Sequence, residues 1–155
     1  MSTQAIRSRE NPNLELIAFH GHFATRHSHN SHYLDITRLK HEYSLAHDTA
    51  LALANHYIYE KSIDTIICMD GSEVIGAFLA RQLTQKILFS VNNNKSICVV
   101  TPEYDSNGQL LFRENLVSMI HGRNMLLLIS TVNSGKTARR ALDCCLLYTS
   151  DAADE

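Results

Sequence analysis

The sequence predicts an α/β domain on a doubly wound, mostly parallel sheet, with a small N-terminal hood and a core that is truncated at its C-terminus. Three short apolar runs, at residues 64–69, 96–100 and 125–129, have the length and composition of strands buried on both faces. Two of them pass through a small polar loop directly into a segment with helical spacing, the strand–loop–helix rhythm of a parallel sheet. The histidine-rich residues that precede them alternate instead, as the strands of a hairpin do.

Taken in order, Leu14-Glu-Leu-Ile-Ala-Phe-His20 has strand character, and Gly21 is expected to end it. A polar stretch, 25–31, leads to His32-Tyr-Leu-Asp-Ile-Thr37, again alternating, so the two segments pair as a hairpin or a small flap. From 38 to 61 the apolar residues Leu45, Leu51, Leu53, Ala54, Tyr57 and Ile58 recur at helical spacing. The run Asp64-Thr-Ile-Ile-Cys-Met69 is a buried strand that breaks at Asp70, Gly71 and Ser72, and a helix follows over 73–87 with Val74, Phe78, Leu79 and Leu83. Ser96-Ile-Cys-Val-Val100 is a second strand. Residues 101–122 are too polar to be core, and Met125-Leu-Leu-Leu-Ile129 is a third strand, followed by the loop 130–135 and a helix from Lys136. One domain, 1–144, results, with a hood over about 14–37 and a core over about 38–144.

The helix from Lys136 is expected to dissolve at Cys145 into a polar, turn-like string. The segment 145–155, Cys145-Leu-Leu-Tyr-Thr-Ser-Asp-Ala-Ala-Asp-Glu155, resembles the conceptual translation of a sequencing adapter. It is set aside as a non-native tail, so that the natural chain is expected to continue past Cys144; a natural acidic tail is the alternative.

With 155 residues, 45% of them hydrophobic, the chain has the size of one domain with a real core. The 14 basic and 16 acidic residues leave a net charge of −2, without the basic surplus of a general nucleic-acid binder. No apolar run approaches the ~20 residues of a membrane span, and the N-terminus lacks the apolar stretch of a secretory signal. Cys68, Cys98, Cys144 and Cys145 have no metal-ligand spacing, and two of them sit in apolar runs, which fits reduced thiols in a cytoplasmic protein.

The most specific chemical signal is Ser130-Thr-Val-Asn-Ser-Gly-Lys-Thr137. Small residues after a strand let a phosphate approach the backbone, and Gly135 permits the positive φ that turns successive N–H groups into one concavity. The following helix offers free N–H groups and the positive end of its dipole. Thr131, Val132, Asn133, Ser134, Gly135, Lys136 and Thr137 are therefore the candidate phosphate-binding residues. Two readings fit: a degenerate P-loop with Ser130 in place of its first glycine, or the phosphate loop of a different family. An ordinary strand-to-helix turn is the bland alternative.

Residues 125–137 resemble the thirteen-residue signature of type I phosphoribosyltransferases: apolar strand residues, an acidic pair, two apolar residues, then a Thr-Thr-Gly-Gly-Thr-like loop. Residues 21–35, beginning Gly21-His-Phe, look like the base-covering hood of the orotate phosphoribosyltransferases, and His121-Gly-Arg-Asn124 is similar to their lead-in to the signature strand. The resemblance spans about 14 to 144. It implies a Mg²⁺-dependent, homodimeric enzyme that moves phosphoribose from phosphoribosyl pyrophosphate to a nucleobase such as orotate. By the same resemblance, residues 133–137 hold the 5′-phosphate, Asp70, Gly71 and Ser72 grip pyrophosphate, and residues 101–115 stand where a mobile catalytic loop lies. The family's acidic pair is Ile129 and Ser130 here, and the mobile segment has no lysine; Arg113 is its one cation and so its candidate catalytic residue.

Other candidates remain open on the sequence alone. Asp70 serves the pyrophosphate site or caps the next helix beside Ser72. His27, Ser31, His32 and Tyr33 are the candidate base-facing residues of the hood, where Tyr33 stacks on a base or packs the hairpin. Asp35 is expected to order the hood. His20, His22, His27, His29 and His32 cluster, but no Cys or acidic partner completes a zinc set, so a polar flap facing an anionic substrate is preferred and no resident protein-held metal is assigned. Arg139 and Arg140 read as a solvated helix face.

Overall fold

The computed structural model describes residues 2–24, 29–57, 59, 61–85 and 90–149. It is a mixed α/β structure with one three-stranded parallel sheet, one three-stranded antiparallel sheet and a two-stranded hairpin.

The N-terminal sheet contains β1 (Ser2–Arg7), β2 (Glu15–Ala24) and β3 (His29–Asp35), in that spatial order. The expected hairpin is β2–β3; β1 adds a third strand from a polar stretch whose composition gave no strand signal. Gly21 does not end β2. The register shifts between His20 and Phe23, so the glycine falls within a bulge. Because paired residues share a face, Gln4, Ala18 and Leu34 lie on one side, and Thr3, Phe19 and Tyr33 on the other. Ala18 is buried, which marks its side as the one turned inward.

The single helix expected over 38–61 is two helices, α1 (Thr37–His41) and α2 (Tyr43–Ala54). Glu42 between them is extended, with φ −81° and ψ 121°, while its carboxylate takes the Arg38 guanidinium at 2.9 Å. The inward stripe of α2 is Ala46, Ala50 and Ala54, at spacing i, i+4, i+8, and Leu51 is exposed. Small residues on this stripe bring α2 close to α3 (Glu73–Thr84), which buries Ile75, Gly76, Leu79, Gln82 and Leu83. That helix ends at Thr84, short of the expected 87, and Val74 is 40% exposed.

The parallel sheet has β4 (Thr65–Cys68) at its centre, with β5 (Cys98–Val100) on one side and β8 (Met125–Leu128) on the other. Every residue of β4 is buried, which explains its uninterrupted apolar pattern. Ile66 and Cys68 pack under α2 and α3; Ile67 and Met69 face the opposite layer, where α4 (Lys136–Thr149) contributes Ala141, Cys144 and Cys145.

Residues 101–122 were expected to lie outside the core. They carry the hairpin β6 (Glu103–Tyr104) and β7 (Leu110–Leu111) and a 3₁₀ helix, Glu114–Met119. Leu110, Phe112 and Ile120 from this segment are buried in the α4 layer. They are isolated apolar residues in a polar context, and only the chain's path brings them together. Helix α4 also continues past Cys144. Cys145 is buried, and the Tyr148 ring meets Phe112 edge-on at 5.4 Å, its hydroxyl accepting the Phe112 N–H at 3.4 Å. Among the described residues no helix is long and apolar enough to cross a membrane.

Candidate functional site

The parallel sheet places the two candidate loops side by side. Pairing of β4 with β8 runs to Cys68↔Leu128, and one step further the Met69 N–H donates to the Leu128 carbonyl at 2.9 Å. Both chains therefore leave adjacent strands at one level, at their carboxyl ends, about 4.8 Å apart.

The first loop is a tight turn: Asp70 and Gly71 have φ of 55° and 75°, and the Ser72 N–H closes it on the Met69 carbonyl at 3.2 Å. Glycine takes this left-handed conformation freely, and Asp is among the few other residues that tolerate it. The buried Ser72 hydroxyl donates to the Leu128 carbonyl at 3.3 Å and so straps the turn to β8. Ser72 makes no side-chain cap on α3. The second loop, 130–135, is exposed over Thr131, Val132, Asn133 and Ser134, and Gly135 has φ 75° as the phosphate-loop reading requires. Helix α4 opens with the Arg139 N–H on the Gly135 carbonyl at 2.9 Å, so the N–H groups of Lys136, Thr137 and Ala138 precede its first helical bond. The Lys136 and Thr137 side chains are exposed.

Other elements converge on this edge. From the hood, Asn30 Oδ1 accepts a hydrogen bond from Asn133 Nδ2 at 2.9 Å. From α1, Lys40 Nζ donates to the Asp70 carbonyl at 2.7 Å, and the His41 ring lies beside Gly71. Neither Lys40 nor His41 was singled out on the sequence; they sit in a helical segment where nothing in the spacing marks them. The Tyr104 hydroxyl on β6 is pushed up by partial burial and by the Asp70 carboxylate, and Arg140 opposes this. Arg139 and Arg140 are exposed, as expected of a solvated helix face.

Arg113 lies in an exposed ion pair, its Nη2 2.5 Å from Glu103 Oε1, and this partner raises the guanidinium's pKa. Its charge is matched within its own segment.

In the hood, His32 and Tyr33 are consecutive strand residues and face opposite ways. His32 pairs with His20, rings 4.5 Å apart, and its Nδ1 is 2.8 Å from the Ser31 hydroxyl. Tyr33 shares its side with Phe19, at 6.1 Å, and also meets the Phe23 ring at 5.8 Å. Its ring packs the hairpin while remaining 51% exposed. Asp35 does order the hood's exit: Oδ1 accepts the Thr37 N–H at 2.9 Å, and hydrogen bonds from Thr37 hold its carboxyl below the usual range. His27 lies outside the described residues. His22 Nε2 and His29 Nδ1 stand 3.1 Å apart, and among the described residues no three His, Cys, Asp or Glu side chains form a metal-binding group. Protein-family models give no match to this chain, and comparison with curated proteins returns none.

Proposed function

We propose that this protein transfers phosphoribose from phosphoribosyl pyrophosphate to a nucleobase, with orotate the base its resemblance favours, as a cytoplasmic homodimer on a doubly wound phosphoribosyltransferase-like core. The observation that carries this reading is the pair of loops, 70–72 and 130–135, leaving adjacent parallel strands at one edge with left-handed residues in each. Strand order supports it too. From β4 the chain crosses through α3 to β5 on one side, while β8 lies on the other side and leads to α4 on the opposite face. The crevice between β4 and β8 is then a topological switch point, where open α/β sheets bind ligands.

The 130–137 loop would take the 5′-phosphate on its backbone N–H groups and Lys136, and the Asp70–Gly71 turn the pyrophosphate, with the hood over the base. The base nitrogen attacks the anomeric carbon as the bond to pyrophosphate breaks, and pyrophosphate departs with the electron pair. Mg²⁺ keeps several waters and is held by one or two carboxylates plus substrate phosphates. Exposed Asp70 and Glu73 fit that role without an all-protein cage, and the ion would neutralise charge on the leaving pyrophosphate.

A second reading is favoured by Ile129 and Ser130 at the acidic-pair positions and by the pairing of Arg113 with Glu103. In it the same site senses phosphoribosyl pyrophosphate without turnover. The full chain incubated with phosphoribosyl pyrophosphate, Mg²⁺ and orotate should release pyrophosphate. Saturable binding with no release selects the sensor, and strong preference for ATP would return the P-loop reading and overturn both.

A further inference from the structure

The 70–72 turn and the residue after it supply two carboxylates, Asp70 and Glu73, and no cation. Besides the Mg²⁺ these carboxylates would hold, an anion as highly charged as pyrophosphate is bound more tightly with a protein cation beside it. Arg113 is paired with Glu103 within its own segment. Lys40 does reach the turn, with Nζ 2.7 Å from the Asp70 carbonyl. An ammonium has three donors, and this contact uses one. The ammonium also lies beside Gly71, whose lack of a side chain leaves the turn's backbone open there: a Cβ at that glycine would meet Lys40 Nζ and His41 Cε1, each at 3.8 Å. The break between α1 and α2 at Glu42 gives α1 a direction separate from α2, and α1 is the helix that meets the turn.

We infer that Lys40, reaching in from α1, is the cation that binds the pyrophosphate group at the Asp70–Gly71 turn, a part that Arg113 does not play. The inference rests on the proposed function for the identity of the ligand, and on the Lys40–Asp70 contact for the residue. Lys40 would touch the leaving group directly while it holds the turn through the Asp70 carbonyl.

Calorimetric titration of the full chain with Mg²⁺-pyrophosphate, and separately with phosphoribosyl pyrophosphate, tests it in the wild type and in Lys40→Met, Lys40→Arg and Arg113→Met. Lys40→Met should weaken pyrophosphate binding about tenfold or more, the loss of a charge-assisted contact. Lys40→Arg should retain most of the affinity, and Arg113→Met should leave it within about twofold. Where Lys40→Met melts early, Lys40→Gln keeps a donor for the Asp70 carbonyl and carries the comparison. If the wild type binds phosphoribosyl pyrophosphate and the Lys40 variants bind it equally well, the inference falls and the proposed function stands. If Lys40→Met loses pyrophosphate but the wild type has no preference for phosphoribosyl pyrophosphate over pyrophosphate, the anion site stands and the proposed function falls. A wild type that binds neither overturns both.

Discussion

Gly76 sits where α3 touches the central strand. A Cβ built there would collide with Cys68 Sγ and press on Val99 Cγ1 at 3.3 Å. Gly76→Ala should therefore destabilise the fold by about 1–3 kcal/mol, the usual cost of overpacking, and Cys68→Ala in the same chain should recover part of it. A double-mutant cycle in urea measures that coupling; additive losses would mean the two atoms do not meet. A second residue, Asp64, pins β4 to β8: its carboxylate accepts the Asn124 N–H and the Lys95 ammonium, each at 3.0 Å, and these contacts hold its pKa below the ordinary 3.8. A lowered folded pKa stabilises the protein above the unfolded value, and that stability fades as pH falls below 3.8 toward the folded value. Asp64→Ala should cost about 1–3 kcal/mol at neutral pH and make the acid limb of a stability–pH curve shallower; an unchanged acid limb would remove Asp64 from this role. At this scale Gly135 was legible, because a phosphate loop demands a residue with positive φ at that position. Lys40 was not, because its partner is a backbone carbonyl thirty positions away, which no local pattern encodes.

Elements were legible where apolar residues follow one another along the chain. The strands β4, β5 and β8 announced themselves as apolar runs because each packs on both faces, β4 fully buried and its neighbours β5 and β8 only partly so. The hood strand β1 and the two-residue strands β6 and β7 did not, since their pairing relies on backbone bonds and on turn chemistry such as Asp105 accepting the Asn107 and Gln109 N–H groups. Helix α4 is the clearest case of tertiary override. Its last turn reads as a polar tail, yet Cys145 is buried and Tyr148 lies edge-on to Phe112. A chain ending at Cys144 should lose about 2 kcal/mol or more, in line with removal of a packed aromatic side chain, and melt roughly 4–8 °C lower. Leu147→Ala, at a position 67% exposed, should leave the melting temperature nearly unchanged. Equal melting of the shortened and full chains would show that the last turn adds nothing.

At the scale of the whole molecule, three separately built parts meet at one sheet edge. The hood arrives through Asn30 on Asn133, α1 through Lys40 on Asp70, and the two loops by the β4–β8 register that sets them level. The Asn30–Asn133 and Lys40–Asp70 hydrogen bonds lie at the surface, and each is worth only about 0.5–1.5 kcal/mol by itself. A ligand touching all of them would add contacts that order hood, α1 and loops together. Phosphoribosyl pyrophosphate should accordingly slow backbone hydrogen exchange in β3, α1, the 70–72 turn and the 130–135 loop at once. Asn30→Ala should leave protection of the 70–72 turn intact while reducing it in β3, because it removes the Asn30 bond to Asn133 and touches nothing at that turn. Protection confined to the 130–135 loop in the wild type would mean that this loop binds phosphate alone, with hood and pyrophosphate turn outside the site.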